Sequence, residues 1–352
     1  MGRWRTSSSV RLIVTVLVAV TLAASSFTAQ TPTRIVAVAD VHGGFQPFVA
    51  ILTAAGVIDA QQRWTGGRTI FVQTGDVTDR GTGVSAALDL LMTLEKEAAA
   101  GGGKVHVLLG NHEVMNMLGD TRDVSPDVLT AFGGETGYRA AFGRDGKYGK
   151  WLRTKPILLN LNGTVFMHAC INLDFSTETL DQINRRVRRE ITEWDEGQRW
   201  LEQQDRIKPS AAFQEVIIAA RSEIERVNAI MAEKKHLEPE VRRGATVVLP
   251  LSNIGASSLF DGNGPLWFRG FASWTDEEGA TRMAALLKQH GVSRFVTGHN
   301  PQRSGQINER FGGSLFLIDT GMLDGRFFPG GRPSALEISG SAAKPIYLAE
   351  AR

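Results

Sequence analysis

Two short stretches, Gly75-Asp76-Val77-Thr78-Asp79-Arg80-Gly81 and Gly110-Asn111-His112-Glu113, concentrate residues that could do chemistry. Carboxylates, a side-chain amide, an imidazole and a guanidinium together suit a hard or borderline cation plus a phosphate. Carboxylate and imidazole bind the metal, and arginine forks onto phosphate oxygens. The same residue types recur at Asp40 and His42, at His168 and at His299, and four of the seven histidines of the chain fall in this set. Taken singly, an Asp after a strand is a turn or cap residue. Taken together, Asp40, His42, Asp76, Asn111, His168 and His299 form a metal constellation, with Asp76, central in order, as the carboxylate able to bridge two ions.

The elements around these residues must bring them to one place. Apolar, β-branched runs at 34–39, 69–74 and 105–109 each end at a motif. Two of them lead on into helical spacing: Phe45, Phe48, Ile51, Leu52 and Ala55, then Val84, Ala87, Leu88, Leu91 and Leu94. Strand, loop and crossover helix in repetition predict a parallel sheet with right-handed connections and the motifs along one edge, outside the carboxyl ends of the strands. Further on, 156–160 and 164–167 read as a hairpin across Asn162-Gly163 that delivers His168. The run 294–297 ends in Gly298-His299-Asn300, 314–318 ends in Asp319-Thr320-Gly321, and Gly264–Gly270, read as sheet, presents Arg269. Residues 119–150 read as loops and short helices on the rim of the site. Between about 175 and 245 the character turns charged and helical: Ile183, Val187, Ile191 and Trp194 mark one helix, Phe213, Val216, Ile217, Ala220, Ile224 and Val227 a second, with Pro239 after its end. This predicts an inserted helical hairpin whose charge is its solvated face.

Composition narrows the class. The chain has 352 residues, 42% hydrophobic and 22% charged, the balance of a soluble globular protein with ample core. Arg3, Arg5 and Arg11 precede an apolar run from Leu12 to Ala24, followed by small residues to Ala29, and this reads as a signal peptide over 1–29 ahead of a single catalytic domain over 33–352. The run is short for a bilayer span, so an uncleaved anchor is the rival reading, and both place the body outside the cytoplasm, periplasmic or secreted. The leader holds three Arg and no acid, so without it 36 basic residues face 37 acidic ones. A near-neutral body gives no reason to expect nucleic acid or an anionic membrane as partner. Cys170 is the only cysteine, which excludes an intrachain disulfide, and it reads as a small buried hydrophobe. His106, His236 and His290 read as structural or surface residues.

The order Asp-x-His, Gly-Asp-x-x-Asp-Arg-Gly, Gly-Asn-His-Glu, His, Gly-His resembles the calcineurin-like metallophosphoesterases. Within them it is similar to the phosphoprotein phosphatases, and Leu-Leu-Gly-Asn-His-Glu-Val-Met-Asn with Gly-Pro-Leu-Trp-Phe-Arg-Gly resembles the bacterial Shewanella-like phosphatases. The resemblance runs from residue 40 to about 320 and leaves out the helical insertion. It implies an α/β fold, a β-sandwich of mixed sheets flanked by helices. It also implies two divalent ions (Mn, Fe or Zn), the first held by Asp40 and His42, the second by Asn111, His168 and His299, with Asp76 between them. A water shared by the ions would attack phosphorus in line, with no covalent phosphoenzyme. His112 would protonate the leaving oxygen, Asp79 would orient His112, and Arg80, Asn111 and Arg269 would hold the phosphate. The implied substrate is a phosphorylated protein, on tyrosine or on serine and threonine, or a small phosphomonoester. The alternatives are a diadenosine-tetraphosphatase-like nucleotide hydrolase and a non-catalytic phosphate- or partner-binding protein on the same fold. Ala39 departs from the glycine common in the first motif, Ala169-Cys170 stand where two glycines are common, and Asp319-Thr320-Gly321 replaces the tyrosine-bearing C-terminal motif of the eukaryotic Ser/Thr enzymes.

Overall fold

The computed structural model describes residues 1–2 and 33–348, apart from 176, 234, 235, 324 and 326. From residue 3 onward the leader read at 1–29 lies outside the described residues. Among the described residues no helix is long and apolar enough to cross a membrane.

Strands β1 (Arg34–Val38), β2 (Ile70–Gln73) and β3 (Lys104–Val107) alternate with helices α1 (Phe45–Ala54) and α2 (Val84–Ala100). Helix α3 (Asn111–Met117) follows β3, then come α4 (Pro126–Ala131), α5 (Glu135–Phe142) and α6 (Lys147–Leu152). The β4 (Leu158–Leu161) and β5 (Thr164–Met167) hairpin leads to three long helices, α7 (Leu180–Gln203), α8 (Phe213–Ala232) and α9 (Pro239–Ser252). Short α10 (Gly270–Ser273) and α11 (Asp276–His290) precede β6 (Arg294–Thr297), β7 (Asn308–Arg310), β8 (Leu315–Leu317), β9 (Ser334–Ser339) and β10 (Ala342–Tyr347).

Among the described residues the strands form two five-stranded mixed sheets, ordered β10-β9-β1-β2-β3 and β4-β5-β6-β8-β7. As the strand, motif and helix repeats predict, β1 pairs in parallel with β2, and β2 with β3. The second sheet is built the same way around parallel β5, β6 and β8. Ile35, Ala37 and Ala39 of the first sheet pack with Val72, Leu108, Phe166, Val296 and Phe316 in one buried cluster that joins the two sheets. Val36 and Val38, pointing the other way from β1, pack with Phe48, Leu52, Leu88 and Leu91 of the helices. A strand buried on both faces needs continuous apolar sequence, and Ile35-Val36-Ala37-Val38-Ala39 has it. The hairpin turn is where the sequence put it: Asn162 and Gly163 both have positive φ, 52° and 81°, as a two-residue turn matched to strand twist requires.

Two readings need correction, and one part of the sheet had none. The insertion holds three helices, since Pro239 opens α9 instead of closing α8. Proline suits the first helical turn, where its missing N–H has no partner to lose. Gly264–Gly270 is not a strand: Arg269 caps the N-terminus of α10. Strands β9 and β10, which extend the first sheet by antiparallel pairing of β9 with β1, went unread.

Candidate functional site

The loops after β2 and β3 are tied together by one buried carboxylate. Glu113 accepts backbone N–H bonds from Gly110 (2.9 Å) and Asp76 (2.7 Å) on one oxygen, and from Val77 (2.8 Å) and Thr78 (3.3 Å) on the other, which also takes the Thr78 hydroxyl at 3.2 Å. Burial and the nearby Asp76 push its pKa up, against the N–H donors that favour the ionised form. Gly110 is required by this approach: a Cβ there would stand 2.1 Å from Asp76 Oδ1. Gly298 makes the same room on the other sheet, where a Cβ would meet Asp40 Oδ1 at 2.3 Å. Four of the chemical residues sit in the left-handed backbone region, His42 (φ 47°), Asp76 (57°), Asp79 (94°) and His299 (68°). Each such residue costs on the order of 1–3 kcal/mol, and strain of this kind gathers at functional sites.

Asp76 is the hub. Its Oδ2 lies 3.2 Å from His168 Nε2 and 3.7 Å from both His42 Nε2 and His112 Nε2, while Oδ1 accepts the His112 backbone N–H at 3.2 Å. His168 Nε2 is also 2.9 Å from Asn111 Oδ1 and 3.0 Å from His299 Nδ1. Asp40 joins both sides, with Oδ2 3.8 Å from His42 Nε2 and Oδ1 accepting the His299 backbone N–H at 3.0 Å. All six sequence-derived ligand candidates are therefore together and buried, none more than 5% exposed.

The donor set fits two cations. His42, Asp76 and His112 place ligand atoms within 4.8 Å of one another, and so do Asp76, His168 and His299, with Asp76 common to both groups. His42 Nδ1 faces the Thr78 carbonyl at 3.0 Å, and His299 Nε2 faces the Trp267 carbonyl at 3.1 Å. A carbonyl only accepts, so those nitrogens carry the protons and the lone pairs of His42 Nε2 and His299 Nδ1 are left for a metal. Burial, followed by His112 for His42 and by His168 for His299, drives both imidazoles well below their ordinary pKa, into the neutral form a ligand needs. Burial, then Asp319 and Asp76, raises Asp40 well above the usual carboxylate range, the signature of negative charges gathered without a counterion. Burial would raise Asp76 too, but His168, His112 and His42 hold it well below. The first of the two groups contains His112 where the resemblance implied Asp40. Its Nδ1 is committed to Asp79, and Asp40 stands beside His42, with Oδ2 3.8 Å from His42 Nε2.

His112 Nδ1 contacts Asp79 Oδ2 directly. Burial would lower the pKa of His112, but Asp76 and Asp79 raise it to about 9. Arg269 donates from Nη1 to the His299 carbonyl (2.7 Å) and to Asn300 Oδ1 (2.9 Å). Arg80, half-buried, lies with its guanidinium 4.9 Å from the Phe328 ring centroid, and that ring stacks on His42 at 5.9 Å. Among the described residues the Arg80 side chain makes no hydrogen bond within the protein, and its charge acts on Asp40, His42 and His112.

Sequence reasoning missed Phe328, Asn116, Tyr138 and Asp319 as members of this site. Asp319 ends the run 314–318 as a fully buried carboxylate whose pKa burial raises to about 6. Its position at a strand end, like that of the ligand candidates, was a signal available in the sequence. Cys170 is buried, and burial pushes its thiol far above the reactive range.

Known proteins share this sequence pattern and this fold. The sequence profile described as calcineurin-like phosphoesterase matches residues 33–303. The chain is 24% identical over 321 residues to Shewanella-like protein phosphatase 1 of Plasmodium berghei, covering 90% of this chain and 74% of that one. It is 44% identical to Shewanella-like protein phosphatase 2 of Arabidopsis thaliana over 103 residues, 29% of this chain and 26% of the relative. Among solved structures, the cold-active protein-tyrosine phosphatase of a psychrophilic Shewanella species shares the fold, with a TM-score of 0.62 at 24% identity over 89% of this chain and 80% of that one.

Proposed function

This chain belongs to the calcineurin-like phosphoesterase family, and on that premise we propose that it is an exported, binuclear-metal phosphomonoesterase acting on phosphoprotein. The observation that carries the proposal is the Asp76 carboxylate, with one oxygen within 3.2–3.7 Å of imidazole nitrogens from three separate motifs. Asp40, His42 and Asp76 would hold one ion; Asp76, Asn111, His168 and His299 the other. When bound, two divalent cations supply Lewis-acid activation of the phosphate and of an attacking water.

The chain's own residues do the rest. Arg80 and Arg269 present planar N–H forks to the non-bridging phosphate oxygens, a geometry lysine lacks. Asn111 shares the phosphate pocket. His112 is the proton donor: with Nδ1 on Asp79, its Nε2–H points into the site and can be passed to the leaving oxygen. A buried imidazole kept protonated beside a carboxylate is what general acid catalysis near neutral pH calls for. A protein that only bound phosphate would have no use for this pair, which argues against the non-catalytic reading. The protein-phosphatase names of the relatives support phosphotyrosine or phosphoserine and phosphothreonine as substrate, and the leader supports export to the periplasm or beyond.

The test is turnover of a phosphotyrosine peptide, a phosphoserine peptide and diadenosine tetraphosphate by protein whose metal content has been measured. Two ions per chain and cleavage of a phosphopeptide are expected. Cleavage of the dinucleotide alone would make this a nucleotide hydrolase. In the same assay His112→Asn retains metal and loses about a hundredfold or more in kcat on poor leaving groups. An unchanged rate would remove His112 from the acid role.

A further inference from the structure

We propose that Tyr138 and Asn116 are positioning residues for the reaction, acting through Asp79 to fix the proton-donating orientation of His112. The inference rests on the reading of His112 as general acid and extends it by two residues. The two oxygens of Asp79 have separate partners. Oδ2 faces His112 Nδ1, while Oδ1 accepts from Asn116 Nδ2 at 2.6 Å and from the Tyr138 hydroxyl at 3.0 Å. A carboxylate held this way cannot rotate without breaking two bonds in a place where water cannot replace them, since Asp79 and Tyr138 are wholly buried and Asn116 is 1% exposed.

Each supporting residue is itself immobilised. Asn116 lies four residues after His112 on α3, so helix geometry sets the two side chains on one face, where Asp79 bridges them. Its amide also donates to Thr78 Oγ1 at 3.0 Å, which ties it to the loop that carries Asp79. Tyr138 comes from α5; its ring stacks on Phe142 with centroids 4.5 Å apart and meets Phe132 edge-on at 4.9 Å. Burial and the Asp79 charge keep the phenol protonated. A neutral phenol has one hydrogen to give, and Asp79 receives it. The backbone of Asp79 sits at φ 94°, a strained conformation that would not by itself aim the carboxylate.

The rival explanation is a core tyrosine whose hydroxyl merely found an acceptor. Tyr138→Phe separates the two, because it keeps the ring and its stacking and removes only the donated hydrogen. The experiment uses metal-loaded wild type, Tyr138→Phe and His112→Asn, with kcat and KM on a series of phosphate esters from 2,4-dinitrophenyl through phenyl to an alkyl ester. A misaligned acid should matter most where the leaving oxygen most needs a proton. Tyr138→Phe is expected to lose about tenfold in kcat on the phenyl and alkyl esters, with the dinitrophenyl ester and every KM within about twofold of wild type. An equal loss on all esters, or none, overturns the proposal and leaves Tyr138 structural. If His112→Asn itself shows no dependence on leaving group, the acid assignment fails and the support of Asp79 loses its catalytic meaning with it. A dependence in His112→Asn without one in Tyr138→Phe overturns the present inference alone.

Discussion

The two sheets meet at one pocket but hold their side chains on different terms. On the edge of β1, β2 and β3, Glu113 collects four backbone N–H groups, and Asp79 is fixed by His112, Asn116 and Tyr138. On the edge of β5, β6 and β8, His168 Nδ1, Thr297 Oγ1, Asn300 Nδ2 and Asp319 Oδ2 are buried without a protein hydrogen-bond partner among the described residues. The first edge also has such atoms, Thr74 Oγ1 and Asn116 Oδ1, but they lie beside a network that is otherwise closed. Buried polar groups are nearly always paired. One edge therefore takes its geometry from protein hydrogen bonds, and the other leaves more of its buried polar atoms unpaired by the protein.

The largest effect that separates the two edges should come from Glu113. Glu113→Ala strands four buried N–H groups at once, and each unmade bond costs about 1–3 kcal/mol. Global destabilisation of more than about 3 kcal/mol in chemical denaturation, with loss of metal binding, is expected. Asn300→Ala on the opposite edge removes one acceptor for Arg269 and should cost about 1 kcal/mol. Equal costs would mean that the first edge is not the more tightly wired of the two.

Much of this pocket was legible before the fold, and the reason is local. Asp40 and His168 follow an apolar run directly, and Asp76, Asn111 and His299 follow one after a single glycine, so a strand prediction also places the candidate ligand. The residues that support them had no such marker. Tyr138 reaches Asp79 across 59 positions, on a short helix in a stretch where periodicity is faint. Phe328 is one apolar residue among several and matters only because the chain folds it against His42 and Arg80. Arg269 was found by its motif but set on the wrong element, since a short apolar run such as Pro265-Leu266-Trp267-Phe268 reads equally as strand or helical turn. The insertion shows the same limit: the apolar faces of α7 and α8 were plain, while Pro239 carries one meaning at a helix end and another at a helix start.

The two arginines extend the comparison to substrate binding. Arg269 is pinned to the second edge by two hydrogen bonds, whereas Arg80 leans on a ring. Arg269→Ala should raise KM about ten- to hundredfold on any phosphomonoester, the scale of a charged hydrogen bond. Phe328→Ala leaves the Arg80 charge in place and removes its ring contact, worth about 0.5–1 kcal/mol, together with the stack on His42, so a rise in KM of about two- to fivefold is expected. A Phe328→Ala effect as large as that of Arg80→Ala would show that the ring, and not only the guanidinium, is part of the phosphate site.

The smallest effect is a shift along the pH axis, and it belongs to the first edge. Asp76 and Asp79 raise the pKa of His112 to about 9, against burial, because both carboxylates favour the imidazolium. Without cations the acid form is therefore full at neutral pH and is lost as pH rises through the folded pKa. On an alkyl phosphate, kcat should fall on the alkaline side of the His112 midpoint. Cations on Asp76 take away its share of the rise, so the midpoint lies no higher than about 9. Asp79→Asn withdraws the other carboxylate charge and must move that midpoint toward lower pH, whereas Asn300→Ala, on the far edge, must leave it where it was. The measurement is kcat against pH for the three proteins on one alkyl ester. A midpoint that stays put in Asp79→Asn would mean that Asp79 does not set the proton affinity of His112, and the closed network of the first edge would then be scaffold without a part in the chemistry.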